Sequence, residues 1–331
     1  MYSRAQMTRS EHSYLTERLI RTLGNAIALA GRGNRLCVVN YHRILPNPDP
    51  LLESEPDVAT FRWQMALLAR CFNVLSLPQA LAALKARTLP PRAVCITFDD
   101  GYRSMHDLAL PVLREFGLPA TVFVTTGFVG EGNMWNDRII EAVQSLTEDT
   151  LDLSDHGLGS YALGTLEARK QSLSRLTERS KYLPPAARIA LVERLESMVG
   201  DDAAPGLMLT PQMIINLLQG GIEIGAHTVT HPILTSLDDD SARLEIVASK
   251  ADLEEITGSP VSLFAYPNGK PGKDFDNRHA EMVKAAGFDA AFTTLPGPIT
   301  LRDDRFQLRR SRPWDKTPLM FGLRLLHWLA A

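Results

Sequence analysis

The amino-acid sequence predicts an α/β fold, a (β/α) barrel of seven or eight strands with a helical insertion. Short apolar runs typical of buried strands alternate with segments of helical periodicity over most of the 331 residues. Strands separated by helices imply parallel βαβ units, and this many units indicate a closed or nearly closed barrel. About eighty residues, 127–210, interrupt the alternation and predict the insertion.

The elements can be assigned in order along the chain. Strands are predicted at residues 36–41, 74–77, 93–98, 120–125, 222–226, 261–266, 290–294 and 307–310. Helices are predicted between them at residues 60–71, 77–86, 106–116, 239–256 and 278–286, and within the insertion at 163–176 and 186–199. Pro78 and Gly287 stand where a helix start and a helix C-cap belong.

Both ends of the chain carry amphipathic helical patterns, at residues 14–30 and 318–329. We therefore divide the chain into an N-terminal helix within 1–35, a barrel over 36–312 with its insertion at about 131–210, and a C-terminal helix within 313–331. The apolar face of each terminal helix either packs on the barrel or contacts a membrane interface peripherally.

Composition restricts the function. A net charge of −3 does not favour a nucleic-acid partner, and no apolar run of 18 residues predicts a membrane span. The polar N-terminus lacks a signal-peptide core, so we expect a cytoplasmic protein, peripheral to the inner membrane face if the terminal helices bind there. Cys37, Cys71 and Cys95 are an odd number, and two lie in predicted strands, which predicts reduced core cysteines.

Two short motifs carry the chemistry. Thr97-Phe98-Asp99-Asp100-Gly101 ends one predicted strand, and His227-Thr228-Val229-Thr230-His231 follows another. Gly101 permits a sharp turn that holds both carboxylates over the strand end, where α/β proteins build their sites. Two imidazoles four residues apart are often solvated or core histidines, and adjacent aspartates are often a turn or a helix cap. Their joint position at strand ends favours a site.

A carboxylate and two histidines form a common ligand set for a hydrolytic divalent metal, with one coordination position left for water. The second carboxylate is then available as a general base. The sequence thus predicts a metal-dependent hydrolase.

With residues 106–116 and Pro119-Ala120-Thr121-Val122-Phe123-Val124, these motifs resemble the polysaccharide deacetylases, carbohydrate esterase family four, over residues 36–310. The resemblance implies that Asp99 is the base and that Asp100, His227 and His231 hold one divalent metal, commonly Zn²⁺, with Co²⁺, Ni²⁺ or Fe²⁺ as alternatives. It also implies hydrolysis of N-acetyl or sometimes O-acetyl groups on aminosugar-containing glycans.

A third motif matches the family in part. Where the family usually has Arg-Pro-x-Gly, this chain has Tyr266-Pro267-Asn268-Gly269, which by itself is a plain turn after a strand. The resemblance implies that the backbone N–H of Asn268 faces the oxyanion. Tyr266 offers a hydroxyl in place of the arginine, so we expect Asp99 to have less charge stabilisation.

The general acid is sought among the remaining histidines. His327 lies in the C-terminal amphipathic pattern and is interpreted as a helix-face residue. Tyr41-His42 resembles the subgroup that makes exported, partly deacetylated polysaccharides, in which the barrel is circularly permuted and the acid lies near the N-terminus. His42 is then the acid or, alternatively, a loop histidine bonded to backbone. Permutation predicts that strand 36–41 neighbours a C-terminal strand.

Two aromatic residues are candidates for substrate binding. Trp135 opens the insertion, where it either stacks on a sugar ring or simply packs, and Tyr102 follows the acidic motif. The expected substrate is an acetylated polysaccharide or a lipid-linked glycan. The alternatives are a deformylase of a lipid-linked aminosugar and a glycan-binding protein without catalysis.

Overall fold

The structure is a computed structural model that describes residues 4–130, 132–199, 206–313 and 315–331. Its strands are β1 Leu36–Tyr41, β2 Asn73–Val74, β3 Ala93–Phe98, β4 Thr121–Val124, β5 Thr150–Leu153, β6 Gly159–Ala162, β7 Glu223–Ala226, β8 Leu263–Ala265 and β9 Ala290–Phe292. Its helices are α1 Arg4–Ile27, α2 Val58–Cys71, α3 Leu77–Ala86, α4 Leu110–Phe116, α5 Trp135–Ser145, α6 Leu166–Lys181, α7 Pro185–Val199, α8 Pro211–Gln219, α9 Asp239–Thr257, α10 Asn277–Ala285 and α11 Pro318–Ala330.

The main sheet is parallel and has seven strands, which confirms the predicted fold class. Its order is β1-β3-β4-β7-β8-β9, with β2 paired to β3 outside this order. The extended segment 308–311 lies between the two outer strands, because Leu308 bridges to Phe292 of β9 and Ser311 bridges to Val39 of β1. The first strand therefore has a C-terminal neighbour, as predicted, although this neighbour forms only isolated bridges and is not a regular strand.

The strands β1 and β3 are buried on both faces of the sheet, which explains why their sequences are nearly continuous apolar runs. Every residue of β1 and of β3 is buried, and both strands have their predicted bounds. The strand predicted at 74–77 is shorter, because Ser76 accepts a hydrogen bond from the Gln79 N–H and caps α3 at its N-terminus. The carboxyl ends of all these parallel strands meet at one edge, which is where the two motifs lie.

The helix predicted at 106–116 begins differently from expectation. Residues Met105–Ala109 form a π-helical turn that continues into α4. Pro111 in the first turn of α4 has no N–H to donate to the carbonyl of Asp107, so the regular α-helical pattern cannot extend through this point.

The insertion is a small unit with its own apolar core, built from α5, α6 and α7 and from an antiparallel hairpin of β5 and β6. The hairpin was not predicted from the sequence. Its pairing places Leu151 opposite Tyr161 on the buried side, while Asp152 faces solvent. The predicted helices are present as α6 and α7.

The terminal helices pack on each other and on the barrel. Gly322 of α11 lies so close to Ile20 of α1 that an added Cβ would overlap its side chain. In α1, Leu15, Leu19 and Leu23 are 61, 45 and 39% exposed. No helix in the described part of the chain is long and apolar enough to cross a membrane. Peripheral membrane contact and a cytoplasmic location stay predictions.

Cys37, Cys71 and Cys95 are free and buried. Burial raises the pKa of the Cys37 thiol to about 12, so it is protonated at neutral pH. The prediction of reduced core cysteines is confirmed.

Candidate metal centre

The two carboxylates of the first motif lie directly after β3. The Asp99 N–H donates to the carbonyl of Tyr41 in the neighbouring strand, and the chain then turns through positive φ angles of 74° at Asp100 and 86° at Gly101. A Cβ at Gly101 would come within 3.0 Å of a Val124 methyl group. Only glycine combines this conformation with such close packing, which confirms its predicted role in the turn.

Asp99 is buried, and the groups that donate hydrogen bonds to it favour the carboxylate form. Arg310 donates from both terminal nitrogens, at 2.6 Å to Oδ1 and 2.8 Å to Oδ2, and the side-chain amide of Asn40 donates to Oδ2 at 3.0 Å. Burial raises the pKa of Asp99, but the Arg310 guanidinium, followed by His227, outweighs it and keeps the pKa below its ordinary value.

This arginine corrects the interpretation of Tyr266. The Tyr266 hydroxyl donates to the carbonyl of Phe306 at 2.9 Å, and its ring stacks on Phe275 with centroids 3.7 Å apart. Tyr266 is therefore a core residue and does not take over from the motif arginine. Arg310, which is 1% exposed, supplies the charge from a segment 211 residues away from Asp99. The expected loss of charge stabilisation was wrong.

The second motif is a tight loop after β7 that aims two imidazoles at one point. His227 Nδ1 lies 2.7 Å from the carbonyl of Ala265 and must carry a proton to donate to it, which leaves Nε2 as a lone-pair donor. His231 closes the turn, since its N–H donates to Thr228 Oγ1 at 3.2 Å. Glu245 of α9 accepts from the N–H groups of residues 229 and 230, both at 2.8 Å. No sequence pattern indicated this acidic anchor.

Asp100, His227 and His231 come together, and their ligand atoms lie within 4.8 Å of one another. Asp100 Oδ1 is 3.4 Å from Nε2 of each histidine, yet it is buried and has no hydrogen-bond partner among the described residues. Burial lowers the pKa of His231 to about 4, so this imidazole is neutral at pH 7. Three lone pairs that face one point repel each other unless a cation lies between them, so these residues fit a divalent metal.

The same centre opens into a cavity of about 1180 Å³, whose lining includes Asp99, Asp100, His227, His231, His42, Asn268, Trp135 and Asn136. His42 Nδ1 is buried without a partner among the described residues, so it is not the backbone-bonded loop nitrogen of the alternative interpretation. Asn268 has a φ of 60°, and its carbonyl accepts from Thr294 Oγ1 at 2.6 Å. His42 and Asn268 thus share the cavity with the carboxylates.

The two predicted substrate-binding aromatics differ. Tyr102 is 3% exposed, does not line the cavity and donates its hydroxyl to Asp137, 3.1 and 3.0 Å from its two carboxylate oxygens. Its assignment to substrate binding was wrong, because Tyr102 is buried outside the cavity lining and its hydroxyl is used by Asp137. Trp135 does line the cavity, and the guanidinium of Arg188 lies 4.9 Å from its ring centroid. Its contact with a sugar stays a prediction.

Solved structures share this fold. The Streptococcus pyogenes deacetylase PplD in complex with acetate matches with a TM-score of 0.58 and 19% identity, over 89% of this chain and 98% of that chain. IcaB from Ammonifex degensii matches with a TM-score of 0.56 and 20% identity, over 90% and 97%. At these identities the likeness concerns the fold alone.

Sequence relatives point to the same group. The poly-beta-1,6-N-acetyl-D-glucosamine N-deacetylase of Staphylococcus aureus strain MSSA476 is 40% identical over 116 residues, 31% of this chain and 40% of the relative. The enzyme with the same name from Staphylococcus epidermidis is 29% identical over 125 residues, 34% and 43%. The match therefore spans less than half of these relatives. The family profile of polysaccharide deacetylases matches residues 86–291, and the chain belongs to this family.

Proposed function

We propose that the protein is a metal-dependent hydrolase that removes N-acetyl groups from an aminosugar-containing glycan. One observation carries this proposal: the Asp100–His227–His231 cluster and the ionised Asp99 line a single cavity. A binding protein without catalysis needs neither a buried cluster of converging lone pairs nor a second, separately held carboxylate. Metal-assisted hydrolysis of an amide uses both, the cluster to hold the ion and the carboxylate to accept a proton from water.

Asp100, His227 and His231 would hold the metal, which we propose to be Zn²⁺. When bound, such an ion lowers the pKa of a coordinated water and polarises a carbonyl group. The hydrogen bond from His227 to Ala265 orients its ring, and the positive φ of Asp100 directs its side chain. The protein thus orients His227 and Asp100 before any ion enters.

Asp99 is the proposed general base. Arg310 and Asn40 hold its carboxylate in one orientation and keep it ionised, so it is able to accept a proton from water. A lowered pKa makes a carboxylate a weaker base. We infer that Arg310 contributes mainly orientation and permanent ionisation.

Two further groups complete the proposed chemistry. The backbone N–H of Asn268 would donate to the oxyanion of the tetrahedral intermediate. His42 would protonate the departing amine, because an amine leaves poorly without a proton and an imidazole titrates near neutral pH. His42 lines the same cavity as both carboxylates, which supports this role.

For the substrate we propose a polymer of β-1,6-linked N-acetylglucosamine. The activity named for the relatives supports it, together with a cavity above the roughly 300–1,000 Å³ of ordinary small-ligand pockets. A lipid-linked aminosugar carrying a formyl group is the alternative substrate. Release of acetate or formate from the two glycans distinguishes them.

The central test is Asp99→Asn. We expect the variant to bind one metal ion and to release acetate about 10² to 10⁴ times more slowly than the wild type, because the proton acceptor is lost. The variant also loses the counter-ion of Arg310, so its folding is verified first. Acetate release is measured by an enzyme-coupled assay and metal content by mass spectrometry. Asp155→Asn, an exposed carboxylate of the insertion, is the control. Undiminished turnover in a folded, metal-loaded Asp99→Asn protein would refute the assignment.

A further inference from the structure

The cavity of the metal centre extends to the C-terminal helix. Its lining includes Arg324 and Trp328 of α11, which lie four residues apart and therefore on the same helix face. Helix α11 lies beyond residues 86–291, the segment that matches the family. This wall of the cavity is thus an addition to the matched part of the chain.

The chemistry of this wall suits a neutral sugar. Trp328 is half-buried, packs partly against the main apolar core and also lines the cavity. Arg324 donates to both carboxylate oxygens of Asp315 at 3.1 Å, and Arg312 is paired with Glu55. Because these cations are already neutralised, they are poorly suited to capture a phosphate. An aromatic ring can pack on the apolar face of a pyranose. The paired side chains beside it can hydrogen-bond to the hydroxyl groups of the sugar.

We propose that Trp328 and Arg324 form a glycan subsite that binds a sugar neighbouring the one that is deacetylated. This proposal rests on the proposed function only for the identity of the reacting sugar. A glycan with its acetamide at Asp100, His227 and His231 occupies one part of the cavity, and its next units extend to α11. We expect a chain of several sugars to be needed to reach both places, so that the subsite selects internal units of a polymer.

Binding affinity tests the subsite without requiring turnover. Calorimetry on the full chain compares a dimer and a pentamer of β-1,6-linked N-acetylglucosamine. We expect Trp328→Ala to weaken pentamer binding roughly three- to tenfold and to leave dimer binding unchanged, because only the longer chain reaches the ring. Trp328→Phe keeps an aromatic face and should retain most of the affinity. Leu319→Ala, an exposed residue of the same helix, is the matched control.

The outcomes separate this subsite from the proposed function. Equal affinities of wild type and Trp328→Ala for the pentamer, or equal losses for both lengths, would overturn it. Selective pentamer binding without acetate release would refute the proposed function and leave the subsite standing. If Trp328→Ala fails to fold, Arg324→Gln must lower pentamer affinity selectively. Arg324 is 46% exposed, and the Gln amide keeps a hydrogen-bond donor for the buried Asp315 carboxylate. Tighter binding of a polyprenyl phosphate micelle than of the pentamer, lost in Arg324→Gln, would assign the wall to a lipid.

Discussion

The metal centre has two sides, one around Asp99 and one around Asp100, and these adjacent carboxylates have opposite surroundings. On one side, Asp99 has three donors at 2.6 to 3.0 Å from Arg310 and Asn40. On the other side, Asp100 directs Oδ1 at two imidazoles and finds no donor among the described residues. Both side chains are buried and neighbours in sequence.

The difference shows which of the two carboxylates finds all of its charge and hydrogen-bond partners within the protein. A buried ion pair with satisfied hydrogen bonds is a finished structural unit, and removing one partner leaves an uncompensated charge. A buried carboxylate oxygen without a donor carries a desolvation cost that a bound ion would offset. Stability measured with and without metal should therefore respond differently to changes on the two sides.

The largest effect is expected from Arg310→Met. The variant leaves Asp99 buried without its counter-ion, so we expect the free energy of unfolding of the metal-free protein to fall by about 3 to 5 kcal/mol. Urea denaturation followed by circular dichroism measures it. Arg103→Met breaks an exposed pair with Asp107 and should cost less than about 1 kcal/mol. A similar small loss for Arg310→Met would show that the Asp99 side is not the finished unit described above.

The second prediction concerns the other side. A metal ion at a hundred times its dissociation constant should stabilise the wild type by about 2.7 kcal/mol. Asp100→Asn should abolish most of this gain while changing the metal-free protein little, because Oδ1 has no donor to lose. Urea denaturation with Zn²⁺ and with a chelator gives both values. A full gain from Zn²⁺ in Asp100→Asn would remove Asp100 from the ligand set.

The third prediction concerns Asp137, a carboxylate whose pKa is raised where that of Asp99 is lowered. Burial raises its pKa to about 7, although Arg43 and Tyr102 oppose the shift. Between about pH 4 and 7 the folded state then holds a proton that the unfolded state has lost, so this group makes stability fall as the pH rises, by up to about 1.4 kcal/mol per unit.

Asp137→Asn should remove that part of the slope, and Asp155→Asn should keep it. Unfolding free energies measured from pH 4.5 to 7.5 provide the comparison. An unchanged slope in Asp137→Asn would mean that the carboxylate is ionised throughout, as Asp99 is.

Local patterns predicted strands of the main sheet and the two motifs that supply the ligands, because each of these is a short run of neighbouring residues. Strands β1 and β3 have their predicted bounds, and Asp100, His227 and His231 meet because parallel strands end at one edge. The pairing of Arg310 with Asp99 spans 211 residues and follows no periodicity. A signal existed, since a family motif without its arginine requires a replacement cation, and 308–312 contains three arginines.

The hairpin and the role of Tyr102 were missed for different reasons. Residues 150–153 do alternate between exposed and buried positions, but the run is only four residues long inside a region of helical periodicity. The role of Tyr102 is determined by its hydrogen bond to Asp137. The buried position of Asp137 depends in turn on how α5 packs against the barrel. Tertiary contacts of this kind leave no trace in local sequence.

The pairing of Arg310 with Asp99 also sets an order of events during protein synthesis. At about 5 to 20 residues per second, a ribosome adds the 211 residues that separate them in about 10 to 40 s. Throughout that interval the nascent chain holds an acidic group that cannot be enclosed without its cation. We expect the barrel to close only after the arginine has left the exit tunnel, so that a nascent chain ending before it stays open and accessible to chaperones.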